Sequence, residues 1–210
     1  MKTKIILLTA SLGLVAAPGV WAQTTIYDNL SYATSAGASV WGSGSTTGMM
    51  ADSFSTLSTD SSLTTVDLLL RRYASSETGS TTIGLYADNS TSPGTLLAVL
   101  GTINDTTLSY GSYTEYSYNS TFSLASDTRY WIGITAPTAD IVSWAEANDA
   151  SGVGTSGEYF YWNSPPVAPN SEGPFGLSVS VTPEATPEPS TLALASLGGL
   201  GILWQLRRRK

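Results

Sequence analysis

The chain of 210 residues contains no histidine and no cysteine. The two side chains most used as general base and nucleophile near neutral pH are therefore absent. Cys/His zinc sites and disulfides go with them. Lysine stands only at positions 2, 4 and 210, so Schiff-base chemistry has no amine inside the chain apart from its ends. Gly154-Thr155-Ser156-Gly157-Glu158 misses the nucleophile elbow at its last position, and no phosphate-cradling loop is present. What remains is carboxylate chemistry. Sixteen Asp and Glu always permit some pair, and paired carboxylates alone can hydrolyse a glycoside. The pattern excludes most enzyme classes and favours none. The expectation is no catalysis, no cofactor and no metal, with a carboxylate-dependent glycoside hydrolase as the remote alternative.

Other polar side chains have ordinary duties. Asp28, Asp88 and Asn89 could offer oxygens to Ca²⁺, which takes six to eight, but nothing has the spacing of an EF-hand. They read as turn formers. Arg71-Arg72 reads as a solubilising end on an edge strand. Arg129 reads as a strand-end partner for an acid.

The aromatic residues are more suggestive. Tyr159-Phe160-Tyr161-Trp162 would alternate faces along one strand. Tyr159, Tyr161 and Trp162 are the candidates for stacking on sugar rings; packing within a sheet is the competing reading, since strands favour Tyr and Trp. Tyr110, Tyr113, Tyr116 and Tyr118 form a second cluster. Trp131, inside Tyr130-Trp131-Ile132-Gly133-Ile134, and Trp144 are expected to be buried.

The elements that would carry these residues are short strands. Leu63–Leu70, Thr81–Tyr86, Thr95–Ile103, Thr128–Thr135, Ile141–Ala145, Glu158–Trp162 and Phe175–Thr182 show apolar runs or period-two alternation. With Thr25–Asp28 and Ala51–Ser55 the count is about nine or ten. The turn cluster Asp88 to Gly94 separates two of them. No stretch of the body sustains a 3.6 period. An all-β, antiparallel β-sandwich of jelly-roll type is the expected fold. Ser31–Met50, Asn148–Gly157 and Asn163–Pro174 read as long loops.

The ends read differently. Met1-Lys2-Thr3-Lys4, an apolar run to Ala17 and Val20-Trp21-Ala22 form a secretory signal helix with the cut between Ala22 and Gln23. The domains expected are thus 1–22, a surface domain 23–183, and a tail 184–210. In that tail the stretch 190–206 is apolar apart from Ser190, Thr191, Ser196 and Gln205. As a helix it covers roughly 25 Å, enough to cross the inner membrane. Arg207, Arg208, Arg209 and Lys210 would hold the end in the cytoplasm.

Pro187-Glu188-Pro189, the apolar segment and the terminal Arg cluster, in that order, resemble a PEP-CTERM sorting signal. The resemblance implies cutting by an exosortase, after signal peptidase has acted, in an exopolysaccharide-making Gram-negative bacterium. The body also resembles the choice-of-anchor R domain. That likeness is carried by Ile26-Tyr27-Asp28-Asn29, Ala51-Asp52-Ser53-Phe54, Ile83 to Asp88 with Ser92-Pro93-Gly94, Leu124 with Thr128 to Ile134, Ser143-Trp144-Ala145 and Gly157-Glu158-Tyr159. It implies a surface β-sandwich of no established activity.

Residues 23–183 hold three cations (Arg71, Arg72, Arg129) against fourteen acids, a formal charge of −11. Nucleic acid is an improbable partner for such a body, because phosphate is held mainly by Lys and Arg. The expected role is an exported surface or matrix protein of structural or adhesive type, associated with extracellular polysaccharide. A lectin-like carbohydrate-binding module is the alternative.

Overall fold

The computed structural model describes residues 22–41, 47–76, 78–90, 92–136, 141–147, 160–163 and 174–184. These residues form twelve strands: β1 (Thr24–Asp28), β2 (Ala33–Trp41), β3 (Gly48–Ser55), β4 (Ser61–Arg72), β5 (Ser80–Asp88), β6 (Pro93–Asn104), β7 (Thr114–Asn119), β8 (Ser123–Leu124), β9 (Arg129–Ala136), β10 (Ile141–Ala147), β11 (Phe160–Asn163) and β12 (Leu177–Pro183). Helix is confined, among the described residues, to two three-residue 3-10 turns, Leu30–Tyr32 and Asp105–Thr107. The expected signal segment, except Ala22, and the membrane helix at 190–206 lie outside the described residues. Among the described residues no helix is long and apolar enough to cross a membrane.

The strands make two antiparallel sheets. One runs β1-β12-β4-β10-β2, with β7 and β8 also paired to β4; the other runs β11-β3-β9-β5-β6. The alternation read in the sequence sets which side chains turn inward. Along β4, Leu63, Val66, Leu68 and Leu70 are buried while most of the residues between them are half-buried. One hydrophobic cluster draws Met50, Phe54, Ile83, Leu85, Ile132 and Ile134 from the five-stranded sheet. It also draws Val66, Leu68, Leu70, Val142, Trp144 and Val179 from the seven-stranded one. Each large side chain so buried contributes about 1.5–3 kcal/mol.

A second, smaller cluster lies on the other face of the five-stranded sheet: Ala51, Tyr86 and Trp131, with Met49 against them. Strand β9 sits between β3 and β5 and is buried on both faces, which is why Tyr130–Ile134 reads as an unbroken apolar run. Gly84 and Gly133 face each other across β5 and β9. A Cβ on either would come within 2.9 Å of the Tyr86 ring; glycine is what lets that ring lie flat on the sheet.

Polar groups buried with the core are tied to backbone. Asn29, fully buried, accepts from Leu177 N at 2.8 Å and donates to Phe175 O at 2.9 Å. Asp52 Oδ2 accepts from Phe175 N at 3.0 Å. The segment leading into β12 is thereby fixed to both β3 and the end of β1.

Two expectations need correction. Ser31–Met50 is not one long loop: it carries β2 and the start of β3, with Ala38, Val40 and Met50 in the core. Its small residues serve packing, since Tyr113 folds over Gly37 in the space a Cβ would fill. In the tyrosine cluster, by contrast, the packing reading holds: strand β7 carries Tyr116 and Tyr118, which pack against the core. Arg71 and Arg72 do not end an edge strand. They pair with Ser143 and Val142 of β10, Arg72 also bridges Tyr110, and the Arg71 guanidinium lies 4.6 Å from the Tyr113 ring centre.

Candidate functional site

Two tight turns at one end of the fold build a concave feature with mixed chemistry. The β5–β6 hairpin closes with Asn89 N donating to Ser92 O at 3.0 Å, and Ser90 adopts the left-handed backbone, φ 65°. Asn and Ser at such positions are turn chemistry, as their sequence predicts. The second turn, Ala125 to Thr128, includes Asp127 at φ 47°. It is pinned from below by buried Thr56, whose hydroxyl donates toward Ala125 O at 2.7 Å and Thr128 O at 3.1 Å, and accepts from Thr128 N at 2.9 Å. Asp60 Oδ1 accepts from Ser126 N at 2.8 Å, and Tyr130 Oη accepts from Ala125 N at 3.0 Å.

Between these turns runs an open groove of about 470 Å³. Leu97, Phe122 and Tyr130 supply its apolar lining, and Ser123, Thr128, Arg129 and Asp88 its polar groups. Asp88 Oδ1 accepts from the Trp131 indole at 2.8 Å, and Arg129 Nη1 donates to Ser90 O at 3.4 Å. The groove offers one cationic donor, one carboxylate and hydroxyls around an apolar strip. That set can hydrogen-bond a neutral polyol while covering its apolar side. Among the described residues Asp88 is the one carboxylate in the lining.

The structure thus brings together two residues that the sequence points to separately, Asp88 and Arg129. Asp28 does act in a turn, accepting from Leu30 N at 3.0 Å. Trp131 and Trp144 are both fully buried, as expected. Of the stacking candidates, Tyr161 and Trp162 lie on β11 at the sheet edge, opposite Ala51 and Met50; Tyr159 lies outside the described residues. In the tyrosine cluster, burial pushes the Tyr118 hydroxyl up to about 12, with neighbouring Tyr116 adding to the shift. Burial also raises Tyr113 and Tyr86, against the opposing pull of Arg71 and of a Thr135 hydrogen bond respectively. Tyr110 stays 61% exposed. Phe122, Ser123 and Thr128 were not legible as site residues, because strands distant in sequence close the groove.

The last described strand, β12, ends at Pro183, and Glu184 N donates to Asp60 O at 2.9 Å. The groove and the exit of the chain therefore share the Asp60 loop. The segment after that exit is decisive. A family model described as the PEP-CTERM protein-sorting motif matches residues 185–209. The motif marks an exported protein addressed to exosortase, one that transits the membrane on its way to the cell surface. Pro187, Glu188, Pro189 and the cluster Arg207 to Arg209 fall inside the matched span. No curated protein matches the chain.

Proposed function

We propose that this chain is a structural or adhesive component of the extracellular matrix of a Gram-negative bacterium. Signal peptidase cuts between Ala22 and Gln23, the 190–206 helix holds the intermediate in the inner membrane, and exosortase cuts near Pro187-Glu188-Pro189. The released body, a jelly-roll-like β-sandwich of choice-of-anchor type, makes weak contacts with extracellular polysaccharide. The sorting motif at 185–209 is the observation that carries this reading. The groove supports the contact. Its one cation and one carboxylate balance, so it favours neutral glycans, while a body of formal charge −11 repels acidic polymers.

The test uses protein recovered from the surface of its own cells. Intact mass should correspond to a chain beginning at Gln23 and ending near the Pro-Glu-Pro segment; a chain still ending Arg-Arg-Arg-Lys rejects processing. The same protein, run through native gels containing the host polysaccharide, should be retarded, and Arg129→Ala should restore its mobility. Unchanged mobility of the wild type rejects the polysaccharide contact. Retardation lost with EDTA assigns it to Ca²⁺ bridging instead.

A further inference from the structure

The tail leaves the body at a fixed place. Strand β12 runs antiparallel to β4, so that Thr182 and Pro183 lie opposite Ser62 and Ser61, the first residues of β4. The chain is held one residue further on as well. Glu184 N donates to Asp60 O at 2.9 Å, and Ser62 Oγ donates to Glu184 Oε1 at 3.2 Å.

The groove lies at the same end. On the other side of β4, Ser123 and Leu124 of β8 pair with the same Ser62 and Ser61. Ser123 lines the groove. Thr182 and Ser123 therefore flank Ser62, two strand spacings or about 10 Å apart. The turn from Ala125 to Thr128 is drawn to this end too. Asp60 Oδ1 accepts from Ser126 N at 2.8 Å, and Leu57 O accepts from Asp127 N at 3.0 Å.

Covalent reach limits how far that end can stand from whatever holds the tail. Pro187, the first residue of the Pro-Glu-Pro motif, is three residues beyond Glu184, and Ser190, where the apolar stretch begins, is six. A chain spans at most about 3.5 Å per residue, so Pro187 is within about 10 Å of Glu184 and Ser190 within about 20 Å.

We infer that the tail holds the groove end of the body toward the membrane, and that the groove stays closed to polymeric ligands until the tail is cut. The inference rests on the reading of 190–206 as a membrane span. With the span in place, the groove stands no more than about 30 Å from the bilayer, whichever way the body tilts. An exosortase at Pro187 takes up part of the room that is left. A single sugar can enter such a gap. A long polysaccharide, which must run past the groove on both sides, is excluded. Proteolysis then acts as a switch: one cut frees the body and opens its groove.

The absence of cysteine lets one introduced thiol report on one place. Leu57→Cys puts it at the groove end. Tyr73→Cys puts it just past the far end of β4, a strand whose twelve residues span about 40 Å. The two side chains are almost equally exposed, 54% and 55%. Each full-length variant is made in a Gram-negative host without an exosortase, and spheroplasts are treated with a maleimide bearing a long polyethylene glycol chain. Each labelling rate is divided by that of the same variant in detergent. Leu57→Cys should label about threefold more slowly than Tyr73→Cys, as for a site open in about one orientation in three. A Gly/Ser spacer of about 30 residues between Ala185 and Thr186, with a mean span of roughly 30 Å, should bring the two rates together. Ser123→Cys, in the groove itself, serves if Leu57→Cys does not fold. Equal rates without the spacer overturn the inference and leave the membrane span standing, as does a difference that the spacer leaves unchanged. A chain that alkaline carbonate washes from the membrane overturns both. Neither result touches the polysaccharide test, which reads Arg129 on the released body.

Discussion

The tryptophans Trp144 and Trp131 are equally buried yet held in different ways. Trp144 belongs to the main cluster, which draws side chains from both sheets. It stacks on Phe175, ring centres 4.9 Å apart, and its indole donates to Gly176 O at 2.8 Å in a buried setting. Trp131 lies on the opposite face of the five-stranded sheet in a cluster of a few residues, and its indole donates to Asp88, an exposed side chain at the hairpin. Water can replace the partner in the second case and not in the first. The main core therefore bears most of the stability, while the outer cluster sets the shape of the groove wall at Asp88.

Substitutions test this contrast. The largest effect is expected from Trp144→Phe. It loses packing and leaves the Gly176 carbonyl buried without its donor, so chemical denaturation should show a loss of about 2–4 kcal/mol. Trp131→Phe also loses packing but should cost less, about 1–2 kcal/mol, since Asp88 regains water. Equal losses in the two variants would show that the outer cluster is as much a core as the inner one.

Between those two in size is Gly133→Val. Its Cβ would sit 2.7 Å from Met49 Cε and 2.8 Å from the Tyr86 ring. Displacing that ring should cost about 1–3 kcal/mol, seen as a lower Tm. A neutral result would show that Tyr86 leaves the sheet freely.

The smallest effect concerns Tyr118, which packs over Gly101 with its hydroxyl buried and without a hydrogen-bond partner among the described residues. Its ionisation is pushed up to about 12, against about 10 for an unfolded tyrosine. The folded state then holds a proton that the unfolded state has lost. Stability is full below pH 10 and falls as pH rises toward 12. Tyr118→Phe should flatten that fall in an alkaline melting series. At neutral pH it should be neutral or stabilising by up to about 1 kcal/mol, because an unsatisfied hydroxyl leaves the interior. A clear loss of stability at neutral pH would mean that the hydroxyl is bonded after all.

Much of this was legible in the residues alone. Absence of histidine and cysteine, a body with three cations, and the ordered Pro-Glu-Pro, apolar and Arg segments of the tail are properties of composition and local order. No folding is needed to read them, because each acts through chemistry carried by the residues themselves or recognised as a linear segment. Strand character was legible too, in β4, β5, β6 and β9, since alternation arises from the pleat. The remainder rested on contacts between distant segments. Whether Gly37 belongs to a loop or a strand depends on Tyr113, 76 positions away. Whether Arg71 faces solvent or an aromatic ring depends on the segment just before β7, and whether Asp88 and Arg129 share a wall depends on how β5 and β9 align. An uncharged run such as β6 reads the same at the centre or the edge of a sheet. Only the order of strands in space, set by contacts between distant parts of the chain, made it the last of its sheet among the described strands.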